Sequence, residues 1–169
     1  MEFYEVLKTR RSIRSYKPDA VPENALRNIA EAVNLAPTAC NKQPFKLLLV
    51  RDPEMRKTIC ANTHFAFLAE APVIAVMMTN ESASWTRYEG NPAADIDASI
   101  AMEHLVLAAA AEGLGTCWIC CYNRAEVDTA AGIAAPWRSV AISPLGFGKE
   151  NACRPRNVKP VDELVKVIG

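Results

Sequence analysis

Arg10-Arg11-Ser12-Ile13-Arg14 places three guanidinium groups and one hydroxyl within five residues. An arginine side chain presents rigid, planar N–H donors that match phosphate oxygens, so Arg10, Arg11, Ser12 and Arg14 can together bind one anion. A solvated basic surface is the simpler interpretation of so short a run. The neighbouring segments are needed to choose between these interpretations.

Two helices are predicted around this block. Residues 2–9 carry apolar side chains on one helical face, which predicts a short amphipathic helix that ends at the block. After Pro22-Glu23, a pair typical of a first helical turn, apolar side chains recur at helical spacing over residues 26–33. Ala36-Pro37 ends this second helix, and a polar loop follows over residues 38–44.

The order of these segments resembles the start of the nitroreductase family of FMN-dependent oxidoreductases. In that family, an Arg-Arg-Ser-x-Arg block is followed by a helix and then by an Ala-Pro-Ser-x-x-Asn-x-Gln-Pro-Trp block. Residues 36–45 of this chain are Ala-Pro-Thr-Ala-Cys-Asn-Lys-Gln-Pro-Phe. Thr38 and Phe45 stand in place of Ser and Trp, and each keeps the chemical type of residue.

Further blocks carry the same resemblance. Residues 97–105, Asp-Ala-Ser-Ile-Ala-Met-Glu-His-Leu, and residues 113–119, Gly-Leu-Gly-Thr-Cys-Trp-Ile, are similar to the family's central helix and following strand. Residues 144–148 resemble a Pro-Leu-Gly-Tyr-like turn, and Arg154-Pro155-Arg156 resembles a Lys-or-Arg, x, Arg element. Each block is weak alone, but together they follow the family's order from about residue 9 to residue 156.

The resemblance implies an α+β fold of the nitroreductase type. Its central sheet is mostly antiparallel and flanked by helices, and a long buried central helix lies at a dimer interface. We expect a single FMN-binding domain over residues 1–169. Composition adds buried strands at residues 45–50 and 73–78 and a nearly all-apolar helix at residues 95–112. The wholly apolar run at residues 117–121 predicts one more buried strand.

Carried over residue by residue, the resemblance implies three groups of cofactor contacts. Contacts to the FMN phosphate and ribityl chain are implied for Arg10, Arg11, Ser12, Arg14, Arg154 and Arg156. Contacts to the flavin from the partner subunit are implied for Pro37, Thr38, Ala39 and Asn41. Contacts to the isoalloxazine ring, where a backbone N–H can stabilise the reduced flavin, are implied for Ile119, Cys120 and Cys121. Family members often have Gly where Cys120 and Cys121 stand.

The implied chemistry is that of the cofactor. FMN would take a hydride from NADH or NADPH and pass electrons to a nitroaromatic, quinone or related acceptor in a ping-pong cycle. That chemistry needs no acid–base pair, so we assign no catalytic side chain, and we expect His104 to be a satisfied core or interface residue. The family's homodimer, with FMN at the subunit interface, is the expected assembly.

Alternative functions remain open at this point. The chain can be a flavin-binding redox sensor or carrier with little turnover, or belong to a specialised dehalogenating or flavin-fragmenting branch. A metal-binding module is a third class, because Cys117-x-x-Cys120-Cys121 has the spacing of metal ligands. A second Cys or His pair at ligand spacing is missing, so we predict no metal site.

Composition limits the remaining classes. The formal net charge of the 169 residues is zero, which does not favour nucleic-acid binding. Met1 to Glu5 shows no signal-peptide pattern and no apolar run reaches the ~20 residues that span a bilayer, so we expect no membrane partner and a cytoplasmic location. Six cysteines without an export signal do not argue for disulfides. The first twenty residues and the tail after Gly148 are basic, so their convergence would create one anion site.

Overall fold

The computed structural model describes residues 2–150 and 154–169. Its α-helices are α1 (Phe3–Thr9), α2 (Glu23–Asn34), α3 (Pro53–Ala61), α4 (Ala94–Ala111), α5 (Arg124–Ala130) and α6 (Val161–Leu164). Its strands are β1 (Phe45–Val50), β2 (Val73–Thr79), β3 (Gly115–Thr116) and β4 (Arg138–Gly146). Short 3-10 turns lie at Ala39–Asn41, Ala66–Glu70 and Glu81–Ala83.

The four strands form one antiparallel sheet in the order β1-β2-β4-β3. The central strand β2 is buried along its length except at the half-buried Met78, as its unbroken apolar sequence predicts. One face of the sheet packs against α2 and α4, and the other carries a second core that includes Ile59 of α3 and Val127 of α5. The predicted α+β fold with a mostly antiparallel sheet between helices is confirmed.

Helix α4 is the longest helix among the described residues and packs against α2 and all four strands. Its inner side is buried, as at Ala98, Met102 and Leu105. Its outer side is open to solvent in the single chain, where Glu103 is exposed and Ile96 is 46% exposed. The position of α4 at a subunit interface stays a prediction.

The strand predicted at residues 117–121 is largely wrong. The ladder contains only Gly115–Thr116, and pairing resumes at a single bridge between Ile119 and Ile142. The ladder is interrupted at Cys117. The register places Pro144 opposite Cys117, and proline has no N–H to donate. The backbone N–H of Cys117 donates to the Ser143 hydroxyl, 3.0 Å away, instead of to a backbone carbonyl. Beyond the bridge the chain leaves the sheet.

The tail, residues 154–169, has every side chain exposed. Among the described residues, one hydrogen bond joins this tail to the rest of the protein. Nη1 of Arg156 donates it to the Leu7 carbonyl at 2.7 Å. Over residues 2–150 and 154–169, no helix has both the length and the apolar character that crossing a membrane requires.

Candidate functional site

The arginine block lies beside the first residues of β3. Ser12 and Thr116 form a parallel bridge, and the N–H of Ile13 donates to the Thr116 carbonyl at 2.8 Å. Gly115 permits this close approach, because a Cβ built there would lie 2.7 Å from Cγ1 of Ile13. The block is therefore a fixed segment at the sheet edge, and the interpretation as a freely solvated basic run is wrong.

The structure brings the block and the basic tail together. A cavity of about 250 Å³, which we call the arginine cavity, is lined by Arg10, Arg11, Ser12, Arg14, Arg154, Pro155, Arg156 and Asn157. Its five guanidinium groups repel one another, and an anion between them would remove that repulsion and accept charge-assisted hydrogen bonds. A phosphate group, with its planar arrays of oxygen acceptors, has the chemistry that this cavity fits.

The polar loop after α2 is held by α4. Ala39 donates its N–H to Oδ1 of Asp97 at 3.0 Å, and Gln43 donates its N–H to the Thr38 hydroxyl at 3.0 Å. The loop needs such support because Cys40 and Asn41 have φ of 51° and 53°, in the left-handed region that non-glycine residues seldom adopt. Sequence reasoning gave Asp97 no role, although an acidic residue within an apolar helix was a visible signal.

This loop does not line the arginine cavity of the same chain. Arg10 and Arg11 border a second cavity with Ala110 and Gly113 at the C-terminal end of α4, whereas Ala39 contacts Asp97 in the first turn. Asp97 and Ala110 are thirteen positions apart on the helix, which is about 20 Å at roughly 1.5 Å per residue. Pro37, Thr38, Ala39 and Asn41 are therefore separated from the arginine cavity within one chain.

Residues 119–121 lie farther along the β3 side of the sheet. Ile119 is buried and exchanges both backbone hydrogen bonds with Ile142, at 2.9 and 3.0 Å. Cys120 and Cys121 are exposed, contrary to the prediction of a buried strand. The pairs Gly115–Gly146, Thr116–Leu145 and Ile119–Ile142 keep one register, so the chain between them is extended. Thr116 and Ile119 are then about 10 Å apart, at roughly 3.3 Å per residue.

The backbone at this end of the strand offers free donors. Within the described residues, the N–H groups of Cys120 and Cys121 donate to no protein acceptor, while the Cys120 carbonyl accepts from the N–H of Tyr122 at 3.1 Å. The Cys120 sulfur lies 3.2 Å from Nε1 of Trp118, which donates to it. An acceptor placed over this end can therefore bind preformed backbone donors without displacing a protein hydrogen bond.

The other cysteines give no sign of a metal centre. Burial raises the pKa of the Cys117 thiol, although the charge of Arg14 opposes this shift. Among residues 2–150 and 154–169, no three His, Cys, Asp or Glu side chains cluster to hold a metal ion. Cys153, the sixth cysteine, lies outside the described residues.

The ring nitrogen Nδ1 of His104 lies 2.8 Å from the Ala32 carbonyl. This contact supports the part of the prediction that gives the His104 ring a hydrogen-bond partner. This contact joins α4 to α2 rather than forming part of an acid–base pair.

Comparisons with known proteins identify relatives over most of the chain. The family model described as "Nitroreductase family" matches residues 7–62 and 60–147. A Methanothermobacter thermautotrophicus protein provisionally named NADH dehydrogenase/NAD(P)H nitroreductase is 31% identical over 161 residues, covering 89% of this chain and 80% of its own. A 5,6-dimethylbenzimidazole synthase from Rhodospirillum rubrum is 24% identical and covers 94% of this chain and 84% of its own.

A solved structure agrees with these sequence matches. The crystal structure of a nitroreductase family protein from Clostridium novyi NT superposes with a TM-score of 0.85 at 33% identity. The match covers 92% of this chain and 89% of the other. The likeness therefore extends over most of the fold, and the family model's match from residue 7 includes the arginine block.

Proposed function

The chain belongs to the nitroreductase family, and from this we propose that it is an FMN-dependent oxidoreductase. It takes electrons from NADH or NADPH and passes them to a nitroaromatic, quinone or related acceptor in a ping-pong cycle. The relatives' names support oxidoreductase chemistry in general. The specific proposal rests on one observation, the convergence of five arginines in the arginine cavity.

The proposed site runs along the β3 side of the sheet. Arg10, Arg11, Ser12, Arg14, Arg154 and Arg156 would hold the FMN phosphate in the arginine cavity. The isoalloxazine would lie toward Ile119, Cys120 and Cys121, at the far end of the segment that runs from Thr116 to the Ile119–Ile142 bridge. An anion site and free N–H donors along the same side of the sheet support this orientation.

When bound, FMN supplies the hydride and electron chemistry. The chain's own residues bind and orient it: the arginines neutralise the phosphate, and the bridge between Ser12 and Thr116 fixes where that phosphate lies relative to the strand. The unpaired N–H groups of Cys120 and Cys121 are suited to stabilise negative charge at the ring edge. No side-chain proton donor is required by this proposal.

We further propose that the active form is a homodimer with FMN at the subunit interface. The loop of Thr38 and Asn41 is held near the N-terminal end of α4, about 20 Å along that helix from the arginine cavity of its own chain. A second copy related by a two-fold axis can place its loop beside this chain's cavity, and the reverse contact then follows by symmetry.

Exposed apolar surface supports the same assembly. The tail presents six exposed apolar side chains: Val158, Val161, Leu164, Val165, Val167 and Ile168. The body carries an apolar groove of about 340 Å³, lined by Phe3, Val6, Ala32, His104, Leu107, Ala108 and Ala111. We propose that the tail of each copy covers apolar surface of the other, since the tail leaves its own groove open and a four-residue helix such as α6 is unstable unless packed.

A second candidate, a flavin-binding redox sensor or carrier, is favoured by one observation. Cys120 and Cys121 are adjacent exposed thiols at the proposed ring end. Rapid reoxidation of the reduced protein by an added quinone would favour the enzyme, and slow reoxidation would favour the sensor. The dehalogenating and flavin-fragmenting branches are separated by assays for halide release and for flavin loss.

The arginine cavity is tested by replacing Arg14 and Arg156 with Ala. The double variant R14A/R156A should lose FMN while remaining a folded dimer, because both side chains are at least partly solvated and neither fills the core. Arg51→Ala is the matched control, since Arg51 is an exposed arginine paired with Glu23 outside the cavity. Full FMN retention by R14A/R156A would refute the proposed phosphate site.

A further inference from the structure

We propose that Glu70 is a positioning residue for the arginine cavity. Its carboxylate connects the segment that carries Arg14 to the segment that leads to Arg154 and Arg156. The identity of the ligand rests on the proposed function, whereas the role of Glu70 rests on contacts that lie outside the cavity lining.

One oxygen of Glu70 accepts three hydrogen bonds. Oε2 accepts from the Ser15 hydroxyl, the Tyr16 N–H and Nζ of Lys149, each at 3.0 Å. Ser15 directly follows Arg14, and Lys149 precedes Arg154 by five positions. A single acceptor atom therefore joins the two halves of the chain that meet in the arginine cavity.

Backbone pairing continues this connection. Tyr16 and Gly148 form an antiparallel bridge, the N–H of Lys17 donates to the Phe147 carbonyl at 2.8 Å, and the N–H of Lys149 donates to the Ser15 carbonyl at 3.1 Å. Glu70 contacts both members of the last pair, Ser15 and Lys149. Loss of its carboxylate would release the ammonium group of Lys149 and leave the backbone pairing without side-chain support on the side of the arginines.

Tyr16 extends the effect toward the arginine block. It is 1% exposed, and its hydroxyl donates to the Ile13 carbonyl at 2.8 Å. The N–H of Tyr16 is also the main cause of the lowered pKa of Glu70, with Lys149 acting in the same direction. An isolated exposed ion pair contributes little, but here the charged acceptor also holds the backbone of a buried residue that contacts the block.

The expected consequence is specific for phosphate. The arginines bind one phosphate most tightly when both segments are already held in place, because ordering them during binding would reduce the affinity. Riboflavin has the same ring and ribityl chain as FMN but no phosphate. Loss of Glu70 should therefore weaken FMN binding and leave riboflavin binding nearly unchanged.

The test measures dissociation constants for FMN and riboflavin by flavin-fluorescence titration of the full chain and of Glu70→Ala and Glu70→Gln. E70A should weaken FMN binding on the order of tenfold, change riboflavin binding by less than about twofold, and weaken FMN binding more than E70Q, which keeps an acceptor oxygen. Glu54→Ala is the matched control, because the Glu54 carboxylate pairs with Lys57 on the surface of α3. It should change neither constant.

A double-mutant cycle identifies the route of the effect. E70A added to the single variant R14A should weaken FMN binding less than E70A does in the wild-type chain if Glu70 acts through the arginines. An unchanged FMN constant in E70A, or equal losses for FMN and riboflavin, would overturn the inference while the proposed function stands. Equal affinity of the wild-type chain for the two flavins would overturn the proposed phosphate site itself.

Discussion

Ser12 and Thr116 are bridged as parallel neighbours, with the N–H of Ile13 donating to the Thr116 carbonyl at 2.8 Å. This one contact places the arginine block against β3, so that an anion in the arginine cavity and a flavin ring at its proposed position near Cys120 would lie along the same side of the sheet. The geometry of the proposed cofactor site follows from a backbone pairing rather than from the arginines themselves.

Because Gly115 lies so close to Ile13, we expect Gly115→Ala to destabilise the fold. The added Cβ would lie 2.7 Å from Cγ1 and 2.9 Å from Cβ of Ile13, so we expect a loss of about 1–3 kcal/mol in the free energy of unfolding from overpacking. Urea denaturation measures this loss. The double variant G115A/I13A should be more stable than the sum of the single losses predicts, and strictly additive losses would contradict the overpacking explanation.

Asp97 should support the loop after α2. Asp97→Ala leaves the N–H of Ala39 without its acceptor, so we expect a loss of about 1–3 kcal/mol in unfolding free energy. Asp97→Asn keeps an amide oxygen at this position and should lose less. Hydrogen exchange at the Ala39 amide should accelerate in D97A. If D97A and D97N had the same unfolding free energy and the same exchange rate at the Ala39 amide, the hydrogen bond would not be what holds the loop.

The cysteines should differ in alkylation rate. Cys120 and Cys121 are exposed, whereas Cys117 is buried with a raised pKa and so holds little thiolate. Iodoacetamide followed by peptide mass spectrometry should modify Cys120 and Cys121 well before Cys117. Saturating FMN should protect Cys120 and Cys121 but leave the half-buried Cys60 unaffected. Unprotected Cys120 and Cys121 in the FMN-loaded protein would contradict the proposed position of the ring.

Removal of residues 161–169 should weaken the dimer. The truncation deletes α6 and five of the six exposed apolar side chains of the tail but retains Arg154 and Arg156. Sedimentation velocity over a concentration series should show dissociation at a higher protein concentration than in the full chain. Glu163→Gln, which alters only a polar side chain of the tail, is the control. Unchanged self-association after truncation would exclude the tail from the interface.

Sequence reasoning predicted the family, the fold class and most elements because these depend on periodicity and on the order of motifs. The segment over residues 117–121 was predicted wrongly for a physical reason. Its composition is apolar throughout, but Pro144 on the facing strand has no N–H to donate to Cys117, and the Ser143 hydroxyl accepts the N–H of Cys117 instead. Composition does not show where a strand leaves its sheet, so the exposure of Cys120 and Cys121 was visible only in the structure.

The candidate site was predictable in part. The arginine block and the basic tail could be named from their motifs, but their meeting in one cavity is seen only in the folded chain, where Arg156 donates to the Leu7 carbonyl. Asp97 and Glu70 were not identified as functional residues, because a single acidic residue carries no periodic signal. Each acts through hydrogen bonds to segments distant in sequence, and only the folded chain brings those segments together.

The most direct test of the proposed function is the visible spectrum of the purified, FMN-loaded protein during anaerobic addition of NADH or NADPH and then of a quinone. The proposal predicts that a bound FMN loses its oxidised absorbance with one of the two donors and regains it fully when the quinone is added. A protein that takes up no FMN, or whose bound FMN keeps its oxidised spectrum with both donors, would contradict it.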